Sequence, residues 1–266
     1  MSKWFIRPCK VDIGNMCRKM GINVPLALAL QAKGLNTPKK VKDYFNTENY
    51  SFGDITELIG VKRSFEIIEK AINENKKIFI YGDYDVDGVT STVILYKSLK
   101  ALGANVFYYI PNRVTDGYGL NVNAIERLIG KGMELLITCD NGIAAIEEIK
   151  YAKEKGIDVV IYDHHEPVIK DDKEILPEAD SVTDAKIENC GYDFTVMCAG
   201  GLCYRVMKSF YEYLGQKYTL EKEMIIFAGI ATVCDVVDLV GENRAIAKRS
   251  LELINDNIEN TWLRHL

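Results

Sequence analysis

Four short segments carry the side chains best able to do chemistry in this 266-residue chain. The first is Gly82-Asp83-Tyr84-Asp85-Val86-Asp87-Gly88-Val89-Thr90-Ser91. Carboxylates this close repel one another when ionised, so the cluster needs water or cations around it. All-oxygen donors suit magnesium or manganese, and the flanking glycines let the backbone turn tightly. An EF-hand calcium loop is excluded: Asp83, Asp85, Asp87 and Gly88 fit its early positions, but Ile94 stands where the closing glutamate belongs and an apolar strand precedes the loop. Taken alone, the segment also reads as an acidic surface turn without a metal.

The second segment, Thr138-Cys139-Asp140-Asn141-Gly142-Ile143, reads by itself first as a turn and helix cap. In the third, Asp163-His164-His165-Glu166, two adjacent histidines after an acid favour metal and phosphate contact, and imidazole widens the choice towards manganese. The fourth runs from Gly229 to Leu239 and holds Asp235 just past an apolar helical stretch. Metal ligation and a plain helix-end carboxylate stand level there. Together these carboxylates and imidazoles suffice for two divalent ions, the arrangement that stabilises attacking and leaving oxygens in phosphoryl transfer. There is no Gly-x-Ser-x-Gly, no Walker A lysine motif and no dinucleotide fingerprint.

The elements that must position these groups alternate. Apolar strands are expected at 77–81, 105–110, 134–138 and 158–162, with a weaker one at 181–183. Helices are expected at 61–75, 90–102, 121–130, 143–155, 196–214, 220–233 and 243–255. The pattern predicts an α/β fold: a mostly parallel five-stranded sheet flanked by helices, with a helical N-terminal segment and a helical C-terminal part. Residues 166–194 are polar and otherwise irregular. Asp83, Asp140 and Asp163 each follow a predicted strand. In open parallel sheets ligands bind beyond the carboxyl ends of strands, so chain order delivers these acids to one edge.

Residues 1–50 hold nine basic and three acidic side chains, a charge of +6 against -5 for the whole chain. Short helices are expected there near 12–20, 24–33 and 38–45. The segment suits nucleic-acid steering, and an ordinary solvated helical face is the reading the sequence alone favours. The overall charge excludes a strongly basic coating protein but not a local nucleic-acid site. The seven cysteines (Cys9, Cys17, Cys139, Cys190, Cys198, Cys203 and Cys234) show no CxxC spacing, which argues against a disulfide framework or thiolate zinc site. No signal-like start and no apolar run of membrane-spanning length is found, and the expected location is cytoplasmic.

At this point the chain resembles the DHH phosphoesterase superfamily, and within it the exonucleases specific for single-stranded DNA. The resemblance rests on YGDYDVDGVTST at 81–92, YYIPNRVTDGYGL at 108–120, LLITCDNGI at 135–143, VVIYDHHE at 159–166 and ATVCDVVDLVGENR at 231–244, in that order and spacing. It implies an N-terminal basic helical segment over 1–60 and the family's catalytic domain over 61–266. It also implies two Mn2+ or Mg2+ ions. Asp83 and Asp85 would hold the first, Asp87, His164 and Asp235 the second, and Asp140 would bridge them. His165 would lie beside the scissile phosphate. Ser91, Asn112, Arg113, Tyr118 and Arg244 are the candidates for substrate contact. Arg113 pairing with a nearby acid and Tyr118 simply packing are the plain alternatives.

The resemblance further implies 5′-to-3′ hydrolysis of single-stranded DNA in repair and recombination by a monomer, with a single-strand-binding protein and a helicase as partners. The glycine-rich signature of the family's second domain, DHHA1, and its oligonucleotide-binding barrel are not found within these residues, so weak or no exonuclease activity is expected of them. Two rival expectations are a phosphoesterase for short oligonucleotides or cyclic dinucleotides, and a non-enzymatic nucleic-acid-binding or replication scaffold. Relatives show Asn-Pro near Thr183-Asp184-Ala185, alanine at Cys234 and proline at Asp238.

Overall fold

The structure, a computed structural model of the chain, describes residues 12–47, 50–114, 117 and 119–256. Cys9, Asp116 and Tyr118 lie outside the described residues. The chain divides into two compact units, the first ending at Tyr50 and the second beginning at Ser51. The division precedes residue 60 because Ile55, on a 3-10 turn at Ile55–Glu57, and Leu58 are buried in the large core of the second unit.

The first unit contains α1 (Ile13–Met20), α2 (Val24–Ala32) and α3 (Pro38–Phe45). Each helix starts at a polar cap: Asp12 accepts from Asn15 N, Asn23 from Leu26 N and Thr37 from Lys40 N. Pro25 and Pro38 sit in first turns, where no N–H is missed. Met16, Ala27, Leu30 and Val41 form a small core. Arg18, Lys19, Lys33, Lys39, Lys40 and Lys42 are exposed.

The strands of the second unit are β1 (Ile78–Tyr81), β2 (Val106–Tyr109), β3 (Leu135–Cys139), β4 (Asp158–Tyr162), β5 (Val168–Lys170), β6 (Lys173–Ile175) and β7 (Ser181–Thr183). Five of them form one sheet in the order β2-β1-β3-β4-β7, and every pairing in it is parallel. The central strands are buried on both faces, and successive residues alternate between two cores. Ile78, Ile80, Leu135, Ile137 and Val160 face the larger one. There α4 (Val61–Asn73), α5 (Val86–Ala101), α8 (Ala199–Tyr213), α9 (Glu221–Cys234) and α10 (Gly241–Asp256) contribute Phe65, Leu95, Phe210, Ile226 and Ile246. Phe79, Tyr81, Leu136, Val159 and Ile161 face the smaller core, covered by Ile125 and Leu128 of α6 (Val122–Gly130) and Ile149 of α7 (Ile146–Glu154). Strands β2 and β3 lie on opposite sides of β1, and their crossover helices lie on opposite faces. The chain therefore reverses direction at β1/β3, the place where open sheets of this kind form a ligand crevice.

Helices α7 and α8 begin at Ile146 and Ala199 and not at 143 and 196, and two further local features depart from the sequence expectation. Helix α5 begins at Val86 and not at 90, because Asp85 caps it by accepting from Gly88 N and the glycine expected to turn is helical. Within the stretch expected to be irregular, β5 and β6 form an antiparallel hairpin. Its two-residue turn holds Asp171 and Asp172 at φ 51° and 57°, as a type I′ turn requires. No helix among the described residues is long and apolar enough to cross a membrane. The described cysteines are all free thiols.

Candidate metal centre

Parallel register aligns the strand ends. Tyr81 pairs with Thr138, Cys139 with Tyr162, and Tyr162 with Thr183. Asp83, Asp140, Asp163 and Asp184 thus leave the sheet along one edge. Three groups of donors each place one atom per residue within 4.8 Å of the others: Asp83, Asp85 and Asp140; Asp87, His164 and Asp235; and Asp140, His164 and His165. Asp140 and His164 are each shared by two groups. The His164 Nε2 lies 3.0 Å from Asp140 Oδ1 and 3.4 Å from Asp87 Oδ2, and its Nδ1 lies 3.9 Å from Asp235 Oδ2.

Each acid is held by its element. A Cβ on Gly88 would lie 2.5 Å from the backbone nitrogen of Asp83, so only glycine lets the first turn of α5 approach that close. Asp87 receives the start of α8: Ala199 N donates to its Oδ2 at 2.8 Å and Gly200 N to its Oδ1 at 2.7 Å. The small residues there are needed because a Cβ on Gly200 would meet Ala231 at 2.5 Å. Asp140 adopts φ 62°, and Val236, next to Asp235, φ 58°. A left-handed conformation costs an L-residue roughly 1–2 kcal/mol, and a β-branched one is a genuine outlier. Both sit where the chain turns to present a carboxylate.

Electrostatics show what is missing from the protein's own charge balance. Burial raises Asp83 above its ordinary range. Burial raises Asp140 strongly, reinforced by the charges of Asp87 and Asp85. Burial also holds Asp87 high, against His164 and the two α8 N–H groups. Clustered buried carboxylates with raised pKa values are under-compensated, and divalent cations supply what they lack. The oxygen-rich donors with one or two imidazoles fit magnesium or manganese.

Asp163 plays a different part. Its Oδ1 accepts from His164 N at 2.8 Å and lies 2.8 Å from His165 Nδ1, while its Oδ2 accepts from Ile143 N at 2.9 Å. Burial pulls its pKa up, but His165 and the N–H groups pull it further down, so it ends below the ordinary range. His165 is correspondingly raised to about 9, chiefly by that hydrogen bond. Asp163→Asn is expected to return His165 from about 9 towards the ordinary 6.5, read by NMR titration of the imidazole. A value left unchanged would show that another group holds the proton.

The other expected side chains are dispersed. The Arg113 guanidinium lies over the Tyr84 ring, 5.4 Å from its centroid, beside Asp83 and Asp85. Asn112 is exposed and turns its Oδ1 onto Val114 N. Arg244 is half-buried in the first turn of α10. Ser91 is not presented to the crevice: it is fully buried, and its hydroxyl donates to the Asp87 carbonyl within α5. Sequence reasoning misses two acids of this edge as site residues. Asp163 enters it as a strand-end acid without an assigned role, and Asp184 only as a departure from relatives. Asp184 is fully buried with an unpartnered Oδ2, and burial, aided by Asp163, pushes it up to about 7. Its position directly after a parallel strand is the available signal.

Known proteins match this chain along most of its length. The family model described as DHH family, N-terminal domain, matches residues 77–232. The single-stranded-DNA-specific exonuclease RecJ of Bacillus subtilis (strain 168) is 37% identical over 251 residues, covering 94% of this chain and 30% of the relative. RecJ of Haemophilus influenzae is 33% identical over 204 residues, 73% of this chain and 34% of its own length. This chain spans about a third of the length of those curated relatives. Among solved structures, RecJ in complex with Mn2+ from Thermus thermophilus aligns with TM-score 0.74 and 26% identity, over 97% of this chain and 35% of that one. An exonuclease RecJ bound to manganese aligns with TM-score 0.66 and 29% identity, over 77% of this chain and 53% of that one.

Proposed function

Because the chain belongs to the DHH family, we propose that it hydrolyses phosphodiester bonds with two divalent cations, Mn2+ or Mg2+, and that its substrate is single-stranded DNA cut from the 5′ end. The observation that carries this reading is the position of Asp140, which forms one donor group with Asp83 and Asp85 and lies 3.0 Å from His164, a member of the group with Asp87 and Asp235. A carboxylate placed in this way suits the position between two cations. The substrate class rests on the relatives, which are single-stranded-DNA-specific exonucleases.

When bound, such cations polarise the phosphate and lower the pKa of water. The chain's own groups then have separable tasks. Asp83 and Asp85 hold one side of the centre, and Asp87, His164 and Asp235 the other. Asp87 keeps its orientation through the two N–H groups at the start of α8. Asp163 fixes the His165 ring through Nδ1, so the imidazolium directs its other proton, on Nε2, to a phosphate oxygen or the departing oxygen. Arg113, stacked on Tyr84, presents a planar fork of donors for a phosphate at the mouth.

The test is release of label from 5′-labelled and 3′-labelled single strands and from duplex DNA, with Mn2+ or with chelator. Mononucleotides leaving first from the 5′ end of the single strand, only with metal, are expected. Initial loss from the 3′ end, or cleavage that persists with chelator, would overturn the reading.

A further inference from the structure

Beside the metal centre lies a cleft of about 340 Å³, at the small end of the range of about 300–1,000 Å³ typical of small-molecule sites. We propose that this cleft takes the sugar and base of the nucleotide whose phosphate is held at the metal centre. The proposal rests on the phosphodiesterase reading and assigns that reading a nucleoside subsite.

The cleft is continuous with the centre, since His165 of one donor group lines it together with Asp163. The rest of its wall is Gly119 and Leu120, from the loop that follows Arg113, and the β3–α7 turn from Asn141 to Ala145. That wall is mostly apolar and suits the faces of a sugar and a planar base. Away from the centre its charged group is Glu148 of α7. A carboxylate there repels a second phosphate, and it accepts hydrogen bonds from the ring or exocyclic N–H of a base or from a sugar hydroxyl. A phosphate at the centre with a nucleoside in the cleft therefore satisfies both charges, and the reverse placement satisfies neither.

The cleft is also preformed. Tyr81, at the end of the strand that leads to Asp83, donates its hydroxyl to Gly119 O at 3.1 Å, and Asn121 Nδ2 lies 3.4 Å from that hydroxyl. On the opposite wall, Asp163 accepts from Ile143 N with one oxygen while the other orients His165. Gly142 holds φ 115°, and a Cβ there would fall 2.5 Å from Thr138 Oγ1. Asn141 is only 4% exposed, lines the cleft and has an unpartnered Oδ1. One rigid frame thus sets the distance between cleft and centre, and little ordering is required on binding.

Calorimetric titration of the manganese-loaded chain with deoxynucleoside 5′-monophosphates and with deoxyribose 5-phosphate tests this directly. The nucleotides are expected to bind at least about tenfold more tightly than the base-free sugar phosphate. Ala144, exposed at the rim, can be enlarged without disturbing the core. Ala144→Phe is expected to lower nucleotide affinity to that of the base-free sugar phosphate, and Ala144→Ser to retain the preference. Equal affinities in the unaltered protein, a preference that survives Ala144→Phe, or no binding of either compound would overturn the proposal. Hydrolysis of bis(p-nitrophenyl) phosphate, which has no base, reports separately on the catalytic reading. Hydrolysis without nucleotide preference rejects the cleft alone, and preference without hydrolysis rejects the catalytic reading alone.

Discussion

Asp140→Asn is expected to lower metal-dependent phosphodiester cleavage by about a thousandfold while leaving the metal-free protein at least as stable. The first half follows from the sharing of Asp140 between two donor groups. Losing its charge weakens both sides of the centre, and Lewis-acid stabilisation of a phosphoryl transition state is worth several kcal/mol, each 1.36 kcal/mol being tenfold in rate. The second half follows from burial. The Asp140 carboxyl is desolvated and repelled by Asp87 and Asp85, so removing its charge relieves a penalty in the metal-free fold. Asparagine is the substitution of choice because the residue sits at φ 62°, which asparagine tolerates better than alanine. Cleavage within about tenfold of the unaltered protein would remove Asp140 from the centre. A large fall in the metal-free melting temperature would show that it serves the fold instead.

The second large effect couples cations to pH. Asp83, Asp87 and Asp140 have raised pKa values in the fold, so between the ordinary carboxylate value of 3.8 and their native values the folded state binds more protons than the unfolded one. Stability of the metal-free protein from these groups therefore falls as pH rises. His165 acts in the same direction: its stabilisation is full below 6.5 and is lost as pH rises through about 9. Divalent cations reverse this, because they bind the ionised carboxylates and compete with protons. At a hundred times its dissociation constant, one ion adds about 2.7 kcal/mol, or on the order of 5–10 °C for a unit of this size. Scanning calorimetry at about pH 6 and about pH 8, with chelator and with Mn2+, should show a lower metal-free melting temperature and a larger metal increment at the higher pH. Increments that are equal, or larger at low pH, would mean that the carboxylates are not the ligands.

The strands are readable because each is an apolar run stopped by glycine, proline or an acid, and their parallel pairing follows from the intervening helices. That logic alone carries Asp83, Asp140 and Asp163 to one edge. What stays hidden has local causes. Gly88 looks like a turn residue, yet it is helical because helix and strand end approach within the space of a missing methyl. The hairpin at 168–175 turns on Asp171-Asp172, a weaker signal than Asn-Gly. Asp184 follows a strand of only three residues, too short for its alternation to be counted. The orientation of Ser91 depends on which side of α5 the core covers, and its preference for a carbonyl one turn back is invisible in print.

The bond between Asp87 and Gly200 joins residues 113 positions apart in the chain. A ribosome making this protein releases the first acids long before the helix that aligns them. Until that helix emerges, the nascent polypeptide holds exposed carboxylates without their partner, so metal capture becomes a late event of synthesis. Stalled chains that end before residue 199 should neither retain manganese nor resist proteolysis, whereas chains extended past α9 should do both.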